Sequence, residues 1–294
     1  MKRKEFIRNL SLLGAIAPVM ELKHLDQLTG ELPPSAKMPV FFMGHGSPMN
    51  AIEENEFVKG FREMGKTIPS LPRAIICISA HWETRGTQVT AMAHPPTIHD
   101  FGGFPRELYD VQYPAPGDPA LARETKELVR STAIGLDEKW GLDHGAWSVI
   151  KHLYPNANIP VIELSLDRTQ PPSYHYELAK ELRSLRDKGV LIIGSGNLVH
   201  NLGMVDWQRL NESFAYDWAL EASDKMKSLI ENEDHLSLVN FRKLGRAFDL
   251  AIPTTEHYLP LLYILGLKEK QERPAFYNDK PVGGSLTMTS VAFQ

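Results

Sequence analysis

Short apolar runs alternate along the chain with stretches whose apolar residues recur at helical spacing. The runs Val40–Met43, Ala74–Ala80 and Val190–Ile193 consist largely of β-branched, aromatic and other apolar residues, which is typical of buried strands. Between them, Asn55–Met64 and Ser173–Asp187 have the composition and spacing of helices. This alternation predicts an α/β fold in one domain, with a central mixed or mostly parallel sheet flanked by helices.

The same patterns predict the remaining elements of the chain. The other predicted strands are Gln88–Met92, Pro160–Leu166 and Ser285–Ala292. The other predicted helices run from Pro119, capped by Asp118, to about Ser131, from the turn at 141–145 to about Leu153, over Asp206–Ile230, over His235–Leu244, and from near His257, capped by Thr254 or Thr255, to Gly266. The stretch 94–118 is dense in Pro, Gly and aromatic residues and fits neither period, which indicates a long functional loop.

Four of the apolar runs deliver a histidine at or just past their ends. These residues are His45, His81, His200 and His257, and they come from distant parts of the chain. In open α/β sheets, ligands collect at the carboxyl ends of the strands. The pattern therefore predicts one metal site at this edge of the sheet.

Composition and charge restrict the chemistry of that site. The 294 residues are 43% hydrophobic and 23% charged with a net charge of −4, which argues against a nucleic-acid or anionic membrane partner. Cys77 is the single cysteine, which excludes an intramolecular disulfide and a thiolate-rich zinc site. No run approaches about 18 apolar residues, so no transmembrane segment is predicted. A metal must be held by imidazole, carboxylate or water.

Residues 1–37 differ from the rest and are predicted to be an N-terminal extension. MKRKEFIRNL is basic, SLLGAIAPVM is apolar, and small residues follow at Ala15–Ala17, as in a signal peptide for export to the periplasm. Lys4, where a second arginine of a twin-arginine signal belongs, and Pro18 argue against that interpretation. The alternative is an amphipathic helix docked on a cytoplasmic protein. In either case the catalytic domain is predicted to span 38–294.

Seven motifs carry a resemblance to a known family. The chain contains, in this order, GHGSPMNAIE, SAHWETRG, HDFGGFPRELYDVQYPAPGDP, LDHGAWSVIKHLYP, IPVIELSLD, GSGNLVHNLG and TTEHYLPLLYILG. This order resembles the class III extradiol ring-cleaving dioxygenases of the LigB-like superfamily, and within it the 4,5-DOPA-dioxygenase-like branch. The resemblance runs from about Met38 to the C-terminus and leaves out only the extension.

The resemblance implies a role for each histidine. His45, His81 and His257 are expected to bind the metal, and His200 to be either a fourth ligand or the general base. His144 is expected to face oxygen and substrate without binding the metal, where an imidazole suits proton transfer because its pKa lies near neutral pH. The implied reaction inserts O2 into a catechol-type ring beside the diol, with a small aromatic diol like 4,5-DOPA and O2 as partners.

The candidate ligand residues do not determine which metal is bound or which reaction is catalysed. One divalent ion is expected, Fe(II) for dioxygenase activity, although an all-histidine site would also hold Zn(II). A carboxylate ligand would have to be Glu256 or Glu83, and adjacent residues of a regular element point in different directions, so Glu256 is not expected to share the metal with His257. The alternatives are a zinc-dependent hydrolase and a non-catalytic zinc- or ligand-binding protein on the same scaffold.

Two further features of the sequence bear on the function, a Gly-Ser-Gly segment and a set of aromatic residues. Gly194-Ser195-Gly196 lacks the Gly-x-Ser-x-Gly spacing of a nucleophile elbow, which argues against a serine hydrolase. Aromatic residues that either line a substrate pocket or pack in the core are Trp82, Phe101, Phe104, Tyr109 and Tyr258. None of these motifs determines the oligomeric state.

Overall fold

The structure, a computed structural model, describes residues 37–210 and 212–294. The strands are β1 (Val40–Gly44), β2 (Ala74–Ser79), β3 (Glu83–Thr84), β4 (Gln88–Thr90), β5 (Gly135–Asp137), β6 (Val161–Glu163), β7 (Leu166–Asp167), β8 (Val190–Gly196), β9 (Pro274–Tyr277), β10 (Pro281–Val282), β11 (Leu286–Thr287) and β12 (Ser290–Phe293). The predicted extension, except for Lys37, lies outside the described residues. Its boundary and its signal-like function stay predictions.

Helices connect most of these strands. They are α1 (Glu56–Gly65), α2 (Arg106–Tyr109), α3 (Pro119–Leu128), α4 (His144–Leu153), α5 (Pro172–Glu181), α6 (Ser184–Asp187), α7 (Asp217–Glu231), α8 (His235–Val239), α9 (Arg246–Ala251) and α10 (Leu259–Leu267). Short 3₁₀ helices cover Pro48–Ala51, Leu202–Met204, Trp207–Arg209 and Phe241–Lys243. In the part of the chain that is described, no helix is both long enough and apolar enough to span a membrane.

The central sheet has the strand order β6-β2-β8-β1-β12-β9. The first four strands are parallel, and β12 runs antiparallel to both β1 and β9. The prediction of a single α/β domain with a mixed, mostly parallel sheet is confirmed. Gly44 pairs with Gly196 and Ser79 pairs with Ser195, so β1, β8 and β2 end at the same level. The residues that follow these three strands therefore meet at one edge.

Both faces of the sheet are covered, which explains why its central strands are apolar throughout. Val40 and Phe42 pack into one apolar cluster, while Phe41 and Met43 pack into another on the opposite face. The first cluster includes residues of α5, α7 and α10, and the second includes residues of α1 and α4. A strand that is buried on both faces loses the polar alternation of a half-exposed strand.

The predicted Asp118 cap of α3 is confirmed, and Asn55, predicted only as the first residue of its helix, is the cap of α1. The Asn55 side chain accepts a hydrogen bond from the Val58 amide at the start of α1, and the Asp118 side chain accepts from Ala120 and Leu121 at the start of α3. These bonds satisfy amide groups that have no partner within the helix.

Three of the predicted elements differ from the observed ones in their bounds or their continuity. The predicted helix Asp206–Ile230 is wrong over its first half: Ala215 pairs with Gly284 and the Tyr216 amide donates to the Gly284 carbonyl, so α7 begins only at Asp217. The predicted strand Ser285–Ala292 is two strands, because β11 pairs with β10 whereas β12 pairs with β1. The predicted helix over Ser173–Asp187 is likewise interrupted between α5 and α6.

Two further predictions need correction near the site. The predicted strand Pro160–Leu166 divides into β6 and β7, and β7 pairs with β3 instead of extending the central sheet. The run before His257 is not a strand, because it ends helix α9, whose residues Phe248 and Ala251 are buried. The helix after it begins at Leu259 without a side-chain cap, and backbone bonds to the Thr255 carbonyl replace the predicted threonine cap.

Gly196 is the position at which the sheet approaches the segment that carries His257. A Cβ atom at Gly196 would lie 2.1 Å from the His257 carbonyl oxygen, and the next amide, of Asn197, donates to the same oxygen at 2.9 Å. The absence of a side chain at Gly196 is therefore required for the hydrogen bond that places His257.

We expect Gly196→Ala to push the His257 segment away from β8 and to destabilise the protein by about 1–3 kcal/mol, as overpacking of a filled interior does. Chemical denaturation measures this loss. Gly102→Ala is the matched control, because a Cβ there meets no atom within 4 Å, and its effect should stay within about 0.5 kcal/mol. Equal stabilities of the two variants would contradict the close packing at Gly196.

His175 lies in the core, away from the sheet edge, and links two packed helices. Its side chain is completely buried in α5, and Nδ1 lies 3.2 Å from the Tyr263 hydroxyl in α10. Burial lowers the pKa of His175 to about 4, although the Asp167 carboxylate acts in the opposite direction. Between pH 6.5 and 4 the unfolded chain therefore binds a proton at His175 that the folded protein does not.

Because the folded pKa is depressed, this contribution to stability is complete above pH 6.5 and is lost as the pH falls to 4, by about 3 kcal/mol. We expect His175→Phe to have a shallower fall of unfolding free energy over this range than the parent, whatever its stability at pH 7. Denaturant melts at several pH values measure the difference. His94→Asn, at an exposed histidine, is the control, and parallel curves for His175→Phe and the parent would refute the assignment.

Candidate metal centre

Three adjacent strands deliver three of the predicted histidines to one place. His45 directly follows β1, His81 lies two residues after β2, and His200 lies four residues after β8. The Nε2 atoms of His45 and His81 face each other at 3.2 Å, and their ring centroids are 5.0 Å apart. The parallel pairing of β1, β8 and β2 thus produces the convergence that the sequence pattern predicts.

His257 reaches the same place from a turn that precedes α10. Its ring centroid lies 5.3 Å from that of His45 and 5.2 Å from that of His81. The three rings therefore surround one small volume, as the predicted ligand set requires.

Each of these three imidazoles has a polar partner at Nδ1. The Nδ1 atom of His45 lies 3.0 Å from Ser195 Oγ, and that hydroxyl donates its own proton to the Gly145 carbonyl at 2.6 Å. Ser195 can therefore only accept from His45, so His45 carries its proton on Nδ1 and leaves Nε2 free. A neutral ring held in this way presents the lone pair that a metal needs.

The other two rings have carboxylates in the same position. His81 Nδ1 lies 3.3 Å from Asp100 Oδ2, and His257 Nδ1 lies 3.1 Å from Glu256 Oε1. Glu256 and His257 lie in a turn and not in a regular helix or strand, so their side chains do not diverge. The expectation that Glu256 does not share the metal with His257 stays a prediction.

His200 stacks on His257. The two rings are nearly parallel, with 9° between their planes and 3.5 Å between their centroids. The His200 amide donates to the Ala251 carbonyl, which anchors the backbone beside the turn that carries His257. This position is compatible with either role expected of His200, ligand or base.

His144 approaches from the side, at the first turn of α4. Its ring centroid lies 3.9 Å from that of His81 and 5.8 Å from that of His45. Asp143 caps the helix by accepting from the Ala146 amide, and its carboxylate also accepts the Ser79 hydroxyl proton at 2.6 Å. Asp143 therefore positions the backbone of His144.

Burial keeps the imidazoles neutral. Loss of solvent lowers the pKa of His45 and of His257 well below the usual 6.5, and neighbouring imidazoles lower both values further. The pKa of His200 falls to about 4, and that of His81 is lowered as well, with burial as the largest cause in both cases. Neutral imidazole is the form that binds divalent metals. Two groups of side chains lie close enough together to hold an ion: His45 with His81 and His144, and His200 with Glu256 and His257.

Asp100 is a site residue that the sequence pattern did not reveal. Its Oδ1 atom accepts the His144 amide at 2.9 Å and lies 2.9 Å from His144 Nδ1, off the line of a second hydrogen bond. Burial opposes ionisation of Asp100, but the contacts with His144 outweigh it and lower the pKa of this carboxyl group. The only signal in the sequence was its place in the HDFGGFP motif, beside His99.

The aromatic residues of the long loop extend outward from His144. Phe101 packs edge to face with His144 at 5.5 Å and contacts Phe104 and Tyr109. A cavity of about 380 Å³ lies beside them, lined by Phe104, Arg106, Tyr109 and Asp110. Phe104 and Tyr109 line this cavity, which fits the predicted pocket wall, and Phe101 packs against both of them.

The two other proposed pocket residues pack elsewhere. Tyr258 is 1% exposed and donates to the Leu238 carbonyl, so of the two predicted places, pocket and core, it occupies the core. Trp82 is nearly buried and stacks on Trp140 at 5.9 Å. His99 donates to the Val111 carbonyl and stabilises the loop.

Two buried carboxyl groups, those of Asp143 and Glu163, lie beside the start of the helix that carries His144. The Asp143 amide donates to Glu163 Oε1 at 2.9 Å, and both side chains are fully buried. Burial, followed by the Asp143 carboxylate, raises the pKa of Glu163 well above its usual value. This pair joins the end of β6 to the start of α4.

Comparison with known proteins agrees with this geometry. Residues 38–284 match the family model described as the catalytic LigB subunit of aromatic ring-opening dioxygenase. The chain is 46% identical over 261 residues to 4,5-DOPA dioxygenase extradiol of Escherichia coli (strain K12), which covers 87% of this chain and 95% of that protein. It is 35% identical to the 4,5-DOPA dioxygenase extradiol of Mirabilis jalapa, over 79% of this chain and 88% of that one.

A solved structure extends the likeness to the fold. An uncharacterized protein from Escherichia coli K12 superposes with a TM-score of 0.76 at 41% identity, covering 87% of this chain and 100% of that one. The family match spans the strands, the loop and the turn that carry the converging histidines. The chain therefore belongs to the LigB family, that of the catalytic subunit of aromatic ring-opening dioxygenases.

Proposed function

We propose that this protein is an extradiol dioxygenase that opens a catechol-type ring beside its diol, with a molecule like 4,5-DOPA as substrate. Family membership supports the class of reaction, and the curated relatives named as 4,5-DOPA dioxygenases suggest the substrate. The proposal rests mainly on the Nε2 atoms of His45 and His81, which face each other at 3.2 Å. The Nδ1 atoms of the two rings contact Ser195 and Asp100 instead.

The metal in this proposal is Fe(II), held by His45, His81 and His257, with His200 as the fourth ligand or the base. Fe(II) when bound supplies the O2 chemistry that side chains lack. The imidazole donors also suit Zn(II), so identification of the metal is part of the test. The convergence of three ring planes around one volume supports this ligand set.

The side chains of the protein bind the ring and move protons. His144 approaches beside the proposed ligands and is the group that we assign to proton transfer with the diol or with oxygen. The edge of Phe101 against His144 excludes water from that side, and the cavity beside Phe104 and Tyr109 has room for the substituent of the ring. Holding both reactants in a fixed geometry contributes to the rate independently of the proton transfer.

The first test is of the reaction itself. Protein purified without oxygen and loaded with Fe(II) should consume one O2 for each catechol and form a coloured ring-opened product, whereas the Zn(II)-loaded protein should not. His81→Ala should retain its fold and lose most of its metal, because one of the convergent nitrogens is gone. Metal analysis and an oxygen electrode measure both outcomes. Ester or amide turnover by the zinc form without O2 uptake would favour a hydrolase, and full metal occupancy of His81→Ala would exclude that ligand.

A second test separates His144 from His200. We expect His144→Phe to keep its metal and to lose ring opening by roughly 10²–10⁴-fold, as loss of a general acid or base does. His200→Ala should lose ring opening too, and its metal affinity should fall only if His200 is a ligand. Metal titration and single-turnover ring opening of each variant give these values. Parental rates in His144→Phe would remove His144 from the mechanism.

A further inference from the structure

We propose that Asp100 is a positioning residue shared by two histidines, orienting His81 toward the metal and His144 toward the reactants. The proposal rests on the metal site proposed above. It adds a carboxylate that contacts both a proposed metal ligand, His81, and the proposed proton-transfer residue, His144. Among the described residues, no other carboxylate lies within ion-pair distance of two of these rings.

The geometry places the two oxygens of Asp100 against different rings. Oδ2 lies 3.3 Å from His81 Nδ1, and Oδ1 lies 2.9 Å from His144 Nδ1 while it accepts the His144 amide. The backbone of Asp100 is exposed, but its side chain is only 17% exposed because it turns inward. The carboxylate therefore faces the rings and not the solvent.

An ionised carboxylate can only accept hydrogen bonds, so it favours a proton on each nitrogen that faces it. For His81 that proton on Nδ1 leaves Nε2 with the lone pair that points toward His45 Nε2. Ser195 has the same effect on His45, and Glu256 has it on His257. Asp100 differs from both because the second ring that it contacts is His144, whose centroid is 3.9 Å from that of His81.

This sharing predicts that one substitution, at Asp100, affects both rings. Removal of a ligand lowers metal affinity, and removal of His144 lowers turnover with metal bound. Removal of the carboxylate that orients both should lower metal affinity and turnover together. Outer partners of metal-bound histidines typically contribute 10- to 100-fold to metal affinity.

The test is Asp100→Asn, with Zn(II) or Co(II) as the probe and a chelator as the competitor. The amide keeps one oxygen for the His144 amide, but its NH2 group is a donor and cannot accept from the other ring. We expect the affinity for either metal to fall about 10- to 100-fold, with the melting temperature of the metal-free protein unchanged. The control, Glu107→Gln, removes an exposed carboxylate of the same loop that does not line the cavity, and it should keep the parental metal affinity.

Metal binding is measured without substrate, so this inference and the proposed reaction fail separately. A folded Asp100→Asn protein with parental metal affinity would overturn the role of Asp100, whether or not the parent opens catechols. If the variant does not fold, ¹⁵N NMR of the histidine rings in the metal-free parent decides the matter. Protons on Nδ1 of His81 and His144 support the proposal, and a proton on Nε2 of His81 overturns it.

Discussion

The parallel pairing of β1, β8 and β2 is the constraint on which the metal centre depends. Because Gly44, Gly196 and Ser79 lie at one level of the sheet, the chain leaves these strands at one edge. The pairing continues past the strands, since the His45 amide donates to the Gly196 carbonyl. A slip of one residue would turn His45 to the opposite face of the sheet.

A buried hydrogen-bond network extends this constraint from the sheet to His144. Ser195 of β8 donates to the Gly145 carbonyl, Ser79 of β2 donates to Asp143, and the Asp143 amide donates to Glu163 of β6. The first turn of α4 is therefore attached to three neighbouring strands. Buried polar groups are costly unless they are paired, so this network favours one position of the helix start over all others.

The loop 94–118 supplies a hydrogen-bond acceptor and an aromatic side chain that the sheet does not provide. Strand ends orient imidazoles from one side only, and their outer nitrogens need acceptors that come from elsewhere in the chain. Asp100 supplies one acceptor, and Phe101 closes the same side with an aromatic edge. Apart from the single helical turn α2, this loop has no regular period, because its residues are placed by contacts with the site.

The sequence by itself determined the fold class, the central strands and the positions of the histidines that converge. Those features depend on local patterns: apolar runs buried on both faces, and the rule that parallel strands end together. Only the tertiary structure decided the partner of each ring, the turn that carries His257 and the late start of α7. The reason is physical, because a hydrogen bond such as Asp100 to His144, or Tyr216 to Gly284, joins residues whose separation in the chain leaves no periodic signal.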